Sequence, residues 1–131
     1  MSLYNLFDVN KELETDGFLL DLVDPDGDVH YVFKIARAGG ANRKFTKRLQ
    51  QLLKPHQYAF DRGTMDPETQ DKIFVRAISE HIVLGWENIN DPSGEPIPYS
   101  VEACANLLES LPELREMIYT EANNISNFID Q

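Results

Sequence analysis

The residues of this chain that could take part in chemistry are few and scattered. The single cysteine, Cys104, lies on the apolar side of a predicted helix, a position typical of a buried structural thiol. The histidines His30, His56 and His81 lack a second His or Cys at the spacing of a zinc site. We therefore expect neither a catalytic residue nor a metal centre, and the chain is predicted not to be an enzyme.

The acidic segment Asp24–Asp28 is the only candidate for a calcium loop. An EF-hand requires glycine at its sixth position and a carboxylate at its twelfth. Counted from Asp24, these positions are Val29 and Ile35. Proline and glycine within the segment are instead typical of a hairpin turn. We expect a plain turn here and no cofactor.

A basic segment is the main asymmetry of the sequence. Between Lys34 and Lys54 there are seven basic residues and no acidic one. They permit three interpretations: a solvated helix face, a nucleic-acid site, or an electrostatic docking surface for the acidic part of a second copy. Phe45 lies on the predicted buried stripe, which argues against its stacking on bases. The candidate docking residues are Arg43, Lys44, Lys47 and Arg48.

The charge distribution limits the partners of the chain. The formal net charge is −10. Residues 1–65 carry nine basic and nine acidic side chains, whereas residues 66–131 carry three basic and thirteen acidic ones. A negative field repels phosphate backbones, so we expect no general nucleic-acid partner. The sequence has no apolar run near the ~18 residues of a membrane span, so we expect no membrane partner. It has no leader-like start and only one cysteine, so we expect the protein to act in a reducing cytoplasm.

The N-terminal half contains the strand signals. Residues 18–35 predict a β-hairpin, because Val29, Tyr31, Phe33 and Ile35 alternate on one face after the turn. Residues 1–16 are weakly patterned and could form an arm. The chain is otherwise expected to be one domain, residues 1–131.

The rest of the chain predicts helices. Asn42 is expected to cap a helix that ends near Leu53, and a loop follows over residues 56–65. Asp66 followed by Pro67 predicts the start of a second helix, which ends near Gly85. Turns over residues 86–99 lead to a third helix capped by Ser100, and Pro112 begins a fourth that continues to the C-terminus. The predicted class is α+β: an N-terminal hairpin followed by about four helices over residues 42–130, predominantly helical.

A series of motifs in the second half resembles a known family. The segments that carry it, in order, are Gly85-Trp86, Asp91-Pro92-Ser93-Gly94, Pro98-Tyr99-Ser100, Leu111-Pro112-Glu113-Leu114 and Asn127-Phe128, with Phe33-Lys34-Ile35-Ala36-Arg37, Asn42 and Phe45 upstream. Their order is similar to that of the tail assembly chaperones of long-tailed bacteriophages. The resemblance covers roughly residues 18–128.

The resemblance implies a non-catalytic helper of phage tail morphogenesis. Such proteins coat the tape measure protein, help recruit tail tube subunits, and self-associate. They act in the host cytoplasm and are not part of the mature virion. The expected partners are therefore the tape measure protein, the tail tube protein and further copies of the chain.

A chaperone for an apolar helix needs an exposed apolar surface. The predicted last helix is apolar on more than one face, and Trp86 is a typical interface anchor. The candidate self-association or client-binding residues are Trp86, Met117, Ile118, Ile125, Phe128 and Ile129. The alternative is that they form the core; under the surface interpretation, Ile125→Asp with Phe128→Asp leaves the monomer folded. A small nucleic-acid-binding regulator that uses the basic helix 43–54 is the alternative function.

Overall fold

The computed structural model describes residues 2–130, which form a mixed α+β fold as expected. Two single-turn 3₁₀ helices, Lys54–His56 and Ile125–Phe128, supplement the regular elements. In chain order these elements are α1 (Leu3–Leu6), α2 (Lys11–Asp16), β1 (Phe18–Val23), β2 (His30–Ile35), α3 (Arg43–Leu53), α4 (Gln57–Asp61), α5 (Pro67–His81), β3 (Val83–Glu87), α6 (Val101–Ser110) and α7 (Pro112–Ala122).

The predicted N-terminal hairpin is confirmed. Strands β1 and β2 pair antiparallel, from Phe18 opposite Ile35 to Val23 opposite His30. The Asp24 carboxylate closes the turn, since it accepts hydrogen bonds from the backbone N–H groups of Asp28 and Val29 at 2.8 and 3.1 Å. The acidic loop therefore uses its first carboxylate to hold its own backbone.

A third strand was not expected from the sequence. The helix predicted to reach Gly85 ends at His81, and β3 then pairs antiparallel with β2. Within residues 2–130 the strands form one sheet in the order β1-β2-β3. A short apolar run such as Ile82-Val83-Leu84 fits either a helix end or a buried strand. The open edge of β2 decides between them, because its backbone groups need partners.

The core lies between the sheet and the helices. Helix α3 packs on α5, α5 packs on α6, and α6 packs on α7. Among the largest fully buried side chains are Phe33, Ile35, Val75, Ile78, Ile82, Val83, Leu108, Ile118 and Phe128. In α3, the residues at i, i+4, i+7 and i+8 predict one buried stripe of Phe45, Leu49, Leu52 and Leu53. The structure confirms it: Phe45 and Leu53 are buried, and Leu49 and Leu52 are half-buried.

Asn42 differs from its expected role as an N-cap. Its side-chain amide donates to the backbone carbonyls of Arg37, at 2.7 Å, and of His81, at 2.9 Å. The residue is buried, so it satisfies acceptors that would otherwise be costly to bury. Asn42 therefore joins the segment after β2 to the end of α5.

Two further segments, one before α5 and one at the end of the chain, were also predicted wrongly. The segment 56–65 was expected to be a loop, but Gln57–Asp61 forms α4. The last helix was expected to reach the C-terminus, but α7 ends at Ala122. Asn124 then caps the following 3₁₀ turn by accepting a hydrogen bond from the Ser126 N–H at 3.0 Å. Asparagine side chains compete with helical hydrogen bonds in this way, which ends the helix early.

Residues 8–16 are attached to the rest of the fold at two places, the C-terminal turn and the segment before α3. Val9 forms a β-bridge with Ile129, and the Asn10 N–H donates to the Phe128 carbonyl at 2.7 Å. Glu14, on α2, is only 3% exposed, and its carboxylate accepts from the Ala41 N–H at 3.2 Å. Of the possible arm 1–16, this part is therefore fixed to the fold.

The Asn42 arrangement predicts that Asn42→Asp destabilises the fold. Aspartate caps helices as well as asparagine does, but an ionised carboxylate cannot donate to the Arg37 and His81 carbonyls. We expect a loss of about 2 kcal/mol or more in the free energy of unfolding, measured by urea denaturation. The control is Asp66→Asn at a true cap. If Asn42→Asp is as stable as wild type, Asn42 acts as a cap after all.

Candidate docking groove

An apolar groove lies at the corner between α6 and α7. It has a volume of about 500 Å³ and runs between α6 and the loop that joins β3 to α6. A second hollow of about 220 Å³ continues it beneath the hairpin, where Leu22 and Tyr31 contribute. The two hollows share Asn90, Leu107 and Leu111. We name this continuous surface the Leu111 groove. Its apolar lining is Leu22, Tyr31, Phe33, Ile89, Pro92, Ile97, Ala103, Leu107, Leu111 and Leu114.

The exposure of Leu111 results from the helix corner. Helix α6 ends at Ser110, and Pro112 occupies the first turn of α7. Leu111 therefore stands at the N-cap position of α7 and is 47% exposed. Leu107 and Leu114 flank it on the two helices, so the corner presents three leucines to one surface. The break in the helix creates the groove.

The loop between β3 and α6 forms the opposite wall and is held firmly. The Trp86 indole Nε1–H donates to the Ile97 carbonyl at 2.8 Å. The Tyr99 hydroxyl donates to the Val83 carbonyl, and its ring packs edge-to-face on Trp86 with centroids 5.2 Å apart. At the start of the loop, the Asn88 side chain donates to the His30 carbonyl at 2.9 Å. These contacts fix Ile89 and Ile97 in the wall.

The rim of the groove is acidic. Asp91 lines the groove, and Glu113 lines an adjoining hollow that shares Leu111. The Ser93 side chain donates a hydrogen bond to the Asp91 carboxylate, and backbone N–H groups donate further ones. These hydrogen bonds, that of the Ser93 side chain most strongly, hold the pKa of Asp91 below its usual range. The carboxylate is therefore charged near neutral pH. Among residues 2–130, no Lys, Arg or His lines these hollows. An apolar partner with cationic flanks fits this surface best.

Sequence reasoning missed Leu107, Leu111 and Leu114 as a surface. Their spacing of four and three is that of a buried helical stripe, and Leu111-Pro112 predicted only the break between two helices and the start of the second. One feature of the sequence does indicate the exposed corner before α7. The other two long helices of this half begin with polar caps, Asp66 and Ser100, whereas an apolar residue occupies the equivalent position before Pro112.

The structure separates the predicted contact residues. Ile118 and Phe128 are fully buried, Trp86, Ile125 and Ile129 are half-buried, and Met117 is 38% exposed. None of the six lines the Leu111 groove of residues 2–130. Trp86 acts on the groove indirectly, since it positions Ile97.

Phe128 is part of the interior. Its ring packs edge-to-face on Phe18, with centroids 5.2 Å apart, and the Arg37 guanidinium lies 5.3 Å from the ring centroid. Aspartate at this position would bury a carboxylate and lose the packing of the ring on Phe18. The expectation that Ile125→Asp with Phe128→Asp leaves the monomer folded is therefore reversed.

The basic residues of α3 differ in their surroundings: three are exposed, and one forms an ion pair. Arg43, Lys44 and Lys47 are exposed. Arg48 forms a two-point ion pair with Glu80 on α5, with nitrogen–oxygen distances of 2.9 and 3.3 Å. Phe45 is 3% exposed, so its ring is held away from any base in the folded chain.

Burial shifts the pKa values of the two side chains that could be reactive, Cys104 and His81. Cys104 is fully buried, and burial raises the pKa of its thiol to about 11. Burial likewise lowers the pKa of His81. In the part of the chain that the structure describes, no group of three or more His, Cys, Asp or Glu side chains could hold a metal ion. Of the helices within residues 2–130, none is long and apolar enough to cross a membrane.

A protein-family model matches most of the chain. The model of the YdaY prophage protein family matches residues 40–131, more than half of the chain. The chain belongs to the YdaY prophage protein family. It is therefore a phage-derived protein. No curated protein and no solved structure matches it significantly. The matched region includes α3 to α7 and the walls of the Leu111 groove except for the hairpin residues Leu22, Tyr31 and Phe33.

The position of Phe128 predicts a strong effect on stability. We expect Phe128→Ala to lower the free energy of unfolding by about 3 kcal/mol or more, because it removes a fully buried ring. Met117→Ala, at an exposed position of α7, serves as the control and should change it by about 0.5 kcal/mol or less. Urea denaturation followed by circular dichroism measures both. Equal, small losses would show that Phe128 packs on the surface.

The buried thiol predicts slow alkylation. With a pKa of about 11, Cys104 is about one part in a thousand thiolate at pH 8, and its sulfur is inaccessible. Iodoacetamide at pH 8 should leave the native protein unmodified by mass spectrometry, and the same treatment in urea should modify it fully. Rapid modification of the native protein would show an accessible, reactive thiol.

Proposed function

We propose that this prophage protein is a tail assembly chaperone that binds the tape measure protein during tail morphogenesis. The observation that carries the proposal is the Leu111 groove, an open and largely apolar surface beside the buried core. Membership of a prophage family supports a phage role. The order of motifs from Gly85-Trp86 to Asn127-Phe128 supports the tail assembly chaperones in particular.

The groove suits a helical client. An amphipathic helix docks by placing side chains at i, i+3/i+4 and i+7 into an apolar groove. The Leu111 groove offers leucines from two helices on one side and Ile97 with Ile89 on the other. Shielding the apolar side of a long helical protein in this way prevents its aggregation. The acidic rim favours client segments with Lys or Arg beside the apolar stripe.

The remaining parts of the proposal follow from the same role. The protein acts without catalysis and needs no cofactor. It works in the host cytoplasm, helps bring tail tube subunits to the tape measure protein, and stays out of the mature virion. Further copies of the chain are partners as well. The net charge of −10 favours proteins over nucleic acid as partners.

Co-expression with the tape measure protein of the same prophage tests the proposal. Wild type should keep the tape measure protein in the supernatant and co-purify with it. Leu111→Asp should weaken this binding at least about tenfold, equivalent to about 1.4 kcal/mol, because it puts a charge on the apolar floor. The readouts are the amount of tape measure protein in the supernatant and the dissociation constant of the purified pair.

Leu111→Asp is a suitable variant because its fold should survive. Aspartate before Pro112 reproduces the sequence Asp66-Pro67, where the Asp66 carboxylate caps α5 by accepting from the Thr69 N–H at 3.2 Å. A new cap contributes about 1 kcal/mol, which offsets the lost leucine contacts. Tyr58→Asp, at a 75% exposed side chain on α4, is the matched control and should bind like wild type.

The possible results separate the alternatives. If wild type fails to retain the tape measure protein, the chaperone proposal is wrong. If Leu111→Asp binds normally and Met117→Asp does not, the client binds the outer face of α7 instead of the groove.

A further inference from the structure

Strand β1 is an open edge of the sheet. The strands lie in the order β1-β2-β3, so β1 has a paired strand on one side only. Among residues 2–130, no hydrogen bond joins the backbone of Phe18–Val23 to an element on its other side. Backbone N–H and carbonyl groups need partners, and a free row of them is a template for a further strand.

The hydrogen bonds of the hairpin show which residues of β1 point to the open side. The Asp24 N–H donates to the Val29 carbonyl at 3.1 Å. Hydrogen-bonded positions alternate along an antiparallel pair, so every second residue counted back from Asp24 bonds to β2. The residues between them direct their N–H and carbonyl groups away from β2. They are Leu19, Asp21 and Val23, and we name their outward backbone groups the β1 edge.

Contacts on the far side of β2 agree with this alternation. The Asn88 side chain donates to the His30 carbonyl, and the Ala36 N–H donates to the Ile82 carbonyl at 2.8 Å. The even-numbered residues of β2 therefore point toward β3, which leaves the odd-numbered residues to bond with β1. By the register of the hairpin, these are opposite the even-numbered residues of β1.

The β1 edge lacks the features that commonly block strand addition. Natural edge strands carry lysine, proline or a bulge, or are very short. Strand β1 has six residues with no lysine or proline, and the irregularity of the sheet lies between β2 and β3. The side chains of Leu19 and Val23, on its outer face, are 68% and 49% exposed. The edge is therefore accessible along its whole length.

The charges around the edge argue against a second β1 as its partner. Antiparallel pairing through all three outward residues would put Asp21 opposite its own counterpart and Asp16 opposite Asp26. Like charges directly opposite each other destabilise a sheet. The acidic turn Asp24–Asp28 lies at the end of the strand, so a cationic segment is complementary to the edge.

We propose that the β1 edge binds an extended, cationic segment of another protein as a fourth strand of the sheet. In strand addition, main-chain hydrogen bonds supply affinity and alternate side chains supply specificity. A lysine or arginine of the segment lies opposite Asp21 on the outer face. On the inner face, apolar side chains lie beside Leu20 and Leu22, which are half-buried. The segment is therefore extended, unlike the helical client of the Leu111 groove, and its binding does not depend on the proposed function.

A synthetic peptide tests the proposal without the tape measure protein. It alternates threonine and valine, and lysine replaces threonine at its N-terminus and its centre. Because Lys34 lies opposite Leu19 on β2, the peptide carries its cations at the centre and beside the acidic turn. The peptide should bind the full chain, measured by isothermal titration calorimetry, with a dissociation constant below about 1 mM.

Backbone methylation of the peptide separates strand addition from other binding. Successive residues of a strand direct their N–H groups to opposite edges. Methylation of the threonine and lysine nitrogens removes the donors that face β1 and should weaken binding at least about tenfold. Methylation of the valine nitrogens, which face away from β1, is the matched control and should leave the affinity unchanged. The protein itself is not altered, so misfolding cannot explain a difference.

A charge reversal tests the recognition of the cation. Asp21→Lys puts like charges together and should weaken binding of the unmodified peptide about tenfold. Glu87→Lys is the matched control, because Val32 of β2 lies between Asp21 and Glu87 in one cross-strand row. It makes the same change of charge at an exposed residue of β3 and should bind like wild type. Both melting temperatures should match that of wild type.

Amide hydrogen exchange followed by NMR identifies the residues that are bound. The N–H groups of Leu19, Asp21 and Val23 should exchange rapidly in the free protein and at least about tenfold more slowly with saturating peptide. The Leu20 N–H, bonded to β2, should be slow in both states. Absence of peptide binding at about 1 mM, or equal effects of the two methylations, overturns the proposal. Protection of the three amides that grows with protein concentration, without peptide, shows that a second copy covers the edge and also overturns it.

Discussion

The fold depends on satisfying the backbone groups where the sheet meets the end of α5. The chain turns from α5 into β3 within one residue, Ile82, which leaves the last carbonyls of the helix inside the protein. The Ala36 N–H donates to the Ile82 carbonyl at 2.8 Å, and the Asn42 amide donates to the His81 carbonyl at 2.9 Å. Unpaired, these acceptors would each cost about 1–3 kcal/mol. The segment between β2 and α3 is therefore shaped by the needs of a helix end far away in the sequence.

The same segment also receives the N-terminal part of the chain. The carboxylate of Glu14 lies against Gly40, where a side chain would overlap it and where φ is +55°, and it accepts from the Ala41 N–H. Arg37 lies between Glu14 and the Phe128 ring. One short loop thus contacts α2, the end of α5 and the C-terminal turn, and residues 8–16 are fixed to the fold as a result.

The Leu111 groove is a consequence of this arrangement. Because β3 directly follows α5 and pairs with β2, the loop after β3 returns across the outer side of α6. Trp86 and Tyr99 then hold that loop at a fixed separation from the α6–α7 corner.

The charged side chains stabilise the contacts between helices. Arg48 links α3 to Glu80 on α5, and Arg76 on α5 links to Glu102 on α6 with its closest contact at 2.9 Å, so ion pairs support helix packing away from the groove.

The sequence alone determined the elements whose signals are local. The hairpin followed from alternation and from the turn formers of Asp24–Asp28, and the starts of α5, α6 and α7 followed from Asp66, Ser100 and Pro112. These features depend on neighbouring residues, so a single sequence is enough to predict them. The four long helices and the α+β class were accessible for the same reason.

Only the tertiary structure decided features that depend on distant partners. β3 forms because β2 offers an open edge, and Asn42 donates to carbonyls rather than capping because α5 ends beside it. The burial of Phe128 depends on Phe18 and Arg37, which no local pattern reveals. The groove needs Leu22, Ile97 and Leu111 from three separate segments to meet at one surface. Their spacing in the sequence says nothing of that meeting, because it is set by how the sheet and the helix corner pack.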